Sequence, residues 1–159
     1  MHVSTFGADA LDIPTGSMAH PVTASLTLPG DAVGISLFAH MHLRGRDVTV
    51  VAESPDGNRQ TLLVMPNYNF GAQEAYLWPR GAQSFLKGTK LHALAHFDNS
   101  RWNPANPDPG KVVRCGPGTM DEQLQVSLTW VARDEALGIA IDPATGTRAV
   151  TPAPPDAGK

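Results

Sequence analysis

The stretch Val33-Gly34-Ile35-Ser36-Leu37-Phe38-Ala39-His40-Met41-His42 decides the fold. Near its start it is apolar on both faces, which predicts a central strand. Residues two apart on a strand project from the same side. His40 and His42 therefore point together, and Met41 points away. Two neutral imidazoles on one rigid edge can hold a first-row metal such as copper or zinc between them. A pair of surface histidines on a strand rim is the other reading. The flanking residues have to choose between them.

On the N-terminal side, Val22, Ala24, Leu26 and Leu28 alternate with Thr23, Ser25 and Thr27. That is a half-buried strand, stopped by Pro29-Gly30-Asp31. Residues 1–20, interrupted by Pro14 and Gly16, read as an extended lead-in to a single domain over 21–142. On the C-terminal side Gly45 ends the run, and Asp47 to Glu53 forms the next strand. Ser54-Pro55-Asp56-Gly57-Asn58 is a hairpin turn, because proline presets the first turn torsion and glycine supplies a positive φ. Arg59 to Met65 returns.

Tyr68 to Trp78 is expected to hold one or two short strands, and Lys87-Gly88-Thr89 another turn. From Thr89 to Phe97, Leu91, Ala93, Ala95 and Phe97 share one face, while His92, Leu94 and His96 share the other. The prolines, asparagines and glycines of Asp98 to Thr119 predict a long loop without regular structure, of a length that in compact domains is functional or disordered. Gln123 to Ala132 is the last strand, and 143–159 reads as a disordered Pro/Ala/Gly-rich tail. About eight short strands with no amphipathic helix predict an all-β fold, an antiparallel β-sandwich compatible with jelly-roll connections.

Composition narrows the function. The chain has 159 residues and a formal net charge of -3, with no run of like charge. Nothing in it forms an electrostatic footprint for nucleic acid or an anionic membrane. No apolar segment approaches the roughly 20 residues of a membrane span. Cys115 is the only cysteine, so an intrachain disulfide and a thiolate-cluster metal site are both excluded. The opening Met1-His2-Val3-Ser4 has neither the charged nor the apolar region of a secretory leader.

The order of motifs is informative: a strand ending in His-x-His-Leu, a Pro-Asp-Gly turn, then Lys-Gly-Thr before a strand. With Ala95-His96-Phe97-Asp98-Asn99-Ser100, Asn103-Pro104 and Asn106-Pro107-Asp108-Pro109, it resembles the C-terminal domain of the copper type II, ascorbate-dependent monooxygenases. That family includes the peptidylglycine α-hydroxylating and dopamine β-monooxygenases, and the likeness is greatest to its bacterial relatives, often fused behind redox modules. The resemblance runs from about Ile13 to Val131.

The resemblance implies a β-sandwich of jelly-roll type carrying one copper ion that binds O₂. It further implies ascorbate or another one-electron reductant, an unknown small-molecule substrate hydroxylated at a C–H bond, a redox domain or partner protein, and a periplasmic or secreted location. Family ligands are the two histidines of His-x-His, matched by His40 and His42, and a methionine in an Asp-Glu-Met motif. Here Asp121-Glu122-Gln123 ends in glutamine, a harder ligand than a thioether. Met120, three residues earlier, is the alternative sulfur.

A disulfide of the animal enzymes falls at Ala95 and Leu124. If those two residues face each other, His96 and Gln123 share the opposite face, making His96 a candidate third nitrogen ligand. The expected metal set is thus His40, His42, His96 and Gln123. His92, about 13 Å from His96 at ~3.3 Å per residue, reads as structural, and His2, His20 and Cys115 as uninvolved. The family's peptide-carboxylate groups fall at Phe38 and Ser127, which offer no cation. The family's second copper sits on an N-terminal domain that this sequence does not contain. A non-catalytic copper-binding or electron-transfer module of a larger periplasmic protein is the alternative function.

Overall fold

The computed structural model describes residues 1–8, 10–135, 139–141 and 144–150. They form thirteen strands: β1 His2–Gly7, β2 Asp12–Ile13, β3 His20–Thr27, β4 Ala32–Met41, β5 Gly45–Glu53, β6 Arg59–Met65, β7 Tyr76–Leu77, β8 Gln83–Phe85, β9 Lys90–Phe97, β10 Val113–Arg114, β11 Leu124–Ala132, β12 Ile139–Ile141 and β13 Arg148–Val150. No helix occurs among the described residues. None is therefore long and apolar enough to cross a membrane.

Two antiparallel sheets make the sandwich. The first has the order β1-β11-β4-β7, with β8 also on β4; the second is β3-β9-β5-β6. β4 is central, as its two-faced apolar start predicts. Its register with β11 shifts between Thr129 and Trp130. That irregularity resets the alternation: Ala32 and Gly34 are buried before it, Leu37, Ala39 and Met41 after it. In the second sheet Leu91, Ala93, Ala95 and Phe97 face the core. Burial of these opposed faces is the main stabilising term, at roughly 25 cal/mol per Å² of apolar surface.

The β5–β6 hairpin closes at the expected turn, where Ser54 N–H bonds Asn58 O at 2.9 Å and Gly57 takes φ +86°. At the corner where the chain leaves β4 for the other sheet, a Cβ on Gly45 would lie 2.7 Å from Met41 Cβ and 2.8 Å from Tyr68 Cδ1. Only glycine fits there.

Several expectations need correction. The lead-in is part of the sandwich: β1 pairs with β11 from His2↔Trp130 to Gly7↔Gln125, and Phe6, Leu11 and Ile13 enter the core. With one buried residue in six, β1 carries no alternation that a sequence reading can detect. The long loop is not wholly irregular, since β10 pairs with β2. Tyr68 to Trp78 holds one short strand, Tyr76–Leu77, as expected, but β8 was not anticipated. Within the expected tail, β13 pairs with β12, which precedes it; residues 143 and 151–159 lie outside the described part.

Buried Asn99 organises the loop that follows β9. Its Nδ2 donates to the carbonyls of Pro14 at 3.0 Å and Lys111 at 2.8 Å, and its Oδ1 accepts from Arg44 Nε and Asn106 Nδ2, both at 3.0 Å. Asp98, Asn103, Asn106 and Asp108 each bond the main-chain N–H two residues on. These are turn-forming side chains that replace a strand ladder.

Candidate metal centre

β4 delivers His40 and His42 to the outer face of the first sheet, because Ala39 and Met41 take the inner one. The two ring centroids are 5.0 Å apart with an interplanar angle of 80°. Phe70 packs against both rings, at 6.3 Å from His40 and 5.9 Å from His42. Phe38 stacks on His40 at 6.4 Å.

Each imidazole is held by its Nδ1. His40 Nδ1 lies 2.6 Å from Gln73 Oε1, and Gln73 Nε2 donates to Phe70 O at 2.9 Å. The second bond sets the amide orientation, so Oε1 accepts and His40 Nδ1 carries the proton. His42 Nδ1 lies 3.1 Å from the main-chain carbonyl of Asp121, which can only accept. In both rings Nε2 has no hydrogen-bond partner among the described residues. Metal-binding histidines are oriented in the same way, by a hydrogen bond to the non-ligating nitrogen.

Two buried groups and one half-buried group hold the backbone beneath the rings. Tyr68 OH accepts from Met41 N–H and donates to Met41 O, and burial pushes its phenol pKa up. Glu122 is 0% exposed. Its carboxylate accepts the main-chain N–H of His42 at 2.9 Å and of Gln123 at 3.3 Å, and also that of Arg44. Burial raises the Glu122 pKa; those N–H bonds and the Arg44 charge oppose the rise. Arg44, also buried, donates to Asn99 and to Met120 O. Desolvation lowers its pKa, against the attraction of Glu122, Asp108 and Asp121.

The expected ligands divide. β11 pairs with β4 so that Leu124 sits opposite Met41 and Gln125 opposite His40. Continuing that register sets Gln123 across from His42, on the outward side. His96 is not with them. Its strand, β9, lies between β3 and β5 in the second sheet. Ala95 and Leu124 do both face the core, but from opposite sheets, so the residues beside them turn outward on opposite sides of the sandwich. His96 Nδ1 instead pairs with Asp47 Oδ1 at 2.7 Å.

Met120 is 66% exposed and lines the cleft beside Arg44. His92 has its Nε2 3.9 Å from Glu53 Oε2, and His2 bonds Glu135. Among the described residues no group of three or more His, Cys, Asp or Glu side chains gathers around one point. The donors brought together are the two imidazoles of His40 and His42. They fit a borderline ion such as copper or zinc with open coordination positions. Of the supporting residues, Gln73, Phe70 and Tyr68 had no sequence signal. Glu122 lay within a noted motif without its clamp role being visible.

No family model matches the chain, and no curated protein matches it.

Proposed function

We propose that the chain is a mononuclear copper-binding domain of the ascorbate-dependent monooxygenase type. One observation carries the reading: two strand-borne imidazoles 5.0 Å apart, both with Nδ1 occupied and Nε2 bare. His40 and His42 would hold the ion, with Gln123 beside them. Bound copper would supply one-electron and O₂ chemistry for C–H hydroxylation, with electrons from ascorbate or another reductant.

The protein's part is orientation. Gln73 and the Asp121 carbonyl hold the ring planes, Glu122 clamps the backbone that carries His42, and Phe70 gives the site an apolar wall. The substrate is a small molecule of unknown identity, and a redox partner or domain and an extracytoplasmic location belong to the same proposal. The second reading, a non-catalytic copper-binding or electron-transfer module, is favoured by Gln123 standing where the family has its thioether.

Calorimetric titration with copper tests the site. The expected result is one ion per chain, with tight binding lost in His40→Ala and in His42→Ala. Wild-type affinity in either variant refutes the assignment. Oxygen uptake with ascorbate then separates the two readings.

A further inference from the structure

Arg44 is 2% exposed, yet its guanidinium is only partly satisfied. Nε–H donates to Asn99 Oδ1 at 3.0 Å and one Nη1–H to Met120 O at 3.0 Å. A guanidinium carries five N–H donors. The remaining ones, including both on Nη2, have no acceptor among the described residues. Nor are they sealed in, since the sealed and unpartnered side-chain atoms among the described residues are Thr89 Oγ1 and His92 Nε2. The free edge of Arg44 therefore faces the cleft it lines, of about 590 Å³.

No carboxylate among the described residues lies within 4.0 Å of this guanidinium. Glu122, Asp108 and Asp121 attract the Arg44 charge from a distance, but none of them meets its free N–H donors, and buried donors are ordinarily met. The acidic groups around it are engaged elsewhere. Glu122 accepts main-chain amides, Asp108 Oδ2 holds Lys111 at 3.0 Å, and Asp121 Oδ2 accepts from Gly118 N at 3.3 Å. Lys111 and Arg114 also stand in the wall, each paired with a carboxylate, Lys111 with Asp108 and Arg114 with Asp12 at 3.2 Å. Pro107, Val112, Val113 and Met120 make the rest of the lining apolar.

We propose that this cleft binds a small monocarboxylate with a short apolar chain. The free edge of Arg44 takes the carboxylate, as guanidinium forks do, and the chain lies against Val112 and Met120. Asp108 and Asp121 in the wall select against a second negative charge. This site stands whether or not a metal binds at His40 and His42. Met120 and Asp121 line the cleft, and Asp121 O also holds His42, so occupancy is felt along that segment.

The test is an NMR titration of the ¹⁵N-labelled chain in carboxylate-free buffer, with butyrate as ligand and butyramide and succinate as controls. Butyrate is expected to give a saturable shift of the Arg44 Nε–Hε signal and of the Met120 and Asp121 amides. Butyramide should give none, and succinate should bind about tenfold more weakly by like-charge repulsion. Val112 is exposed, so Val112→Glu leaves the fold intact while placing a negative charge at the cleft; it should weaken butyrate about tenfold, and Val112→Gln should not. An unsaturable response, an equal response to butyramide, or unweakened binding by Val112→Glu overturns the proposal.

Discussion

The Nδ1–H of His42 donates to the main-chain carbonyl of Asp121 at 3.1 Å. Because that acceptor is a carbonyl, the bond selects the Nδ1–H tautomer of the neutral ring. His40 reaches the same state through Gln73. In the metal-free protein, long-range ¹⁵N–¹H spectra should show both rings as the Nδ1–H tautomer. A bare Nδ1 on either ring contradicts the arrangement.

Gln73→Leu removes the acceptor from His40 and leaves the His42 bond untouched. Metal affinity is expected to fall about 10- to 100-fold, the usual cost of losing such a partner. The same spectra should then show His40 released from its tautomer and His42 unchanged. Unaltered affinity would separate Gln73 from the site.

In the proposed copper site, the position opposite His42 would decide how the ion behaves. An amide oxygen stabilises Cu(I) less than a thioether does. Gln123→Met is therefore expected to raise the reduction potential and the ascorbate-dependent consumption of oxygen. Met120 is exposed and lines the cleft beside Arg44, so Met120→Leu should leave the potential where it was. The reverse pattern in voltammetry would reassign the axial ligand to Met120.

His96 sits on the outer face of the second sheet with Asp47. His96→Ala should preserve both metal stoichiometry and the number of coordinated imidazoles, counted as two by pulsed electron paramagnetic resonance. A count that drops on this substitution would place His96 at the ion.

Arg59 lowers the Glu53 carboxyl pKa, first through their hydrogen bond and then through its charge. A carboxyl lowered in the folded state adds stability above its unfolded pKa and loses it as pH falls through the folded value. Wild type should thus exceed Arg59→Gln in urea stability at neutral pH, with the gap closing below about pH 4. A gap that widens in acid would reverse the sign of the interaction.

β3, β5, β9 and β11 were legible because each buries one face along a period of two, β4 as a run apolar on both faces, and β6 as the return from the 54–58 turn, which its proline and glycine mark locally. β1 was not, since Phe6 alone is buried within it and its pairing with β11 joins residues more than a hundred apart. β2 and β10 are two residues each and exist only through one another. The His-x-His pair was legible because two residues on one strand share a face whatever surrounds them.

His96 shows where that reasoning stops. Alternation along β9 correctly puts Ala95 inward and His96 outward, but it carries no information on which sheet the strand joins. The inward residues of the two sheets meet at the core, so the outward residues end on opposite surfaces. Likewise Gln73, Glu122 and Arg44 acquire roles only when the 68–73 loop and the 120–123 segment close on the end of β4. By itself the sequence determined the strand faces and the paired imidazoles, which are local properties of the chain. Tertiary structure alone decided the sheet membership of His96, the proton positions on both rings and the open edge of Arg44, because each depends on hydrogen-bond partners distant in sequence.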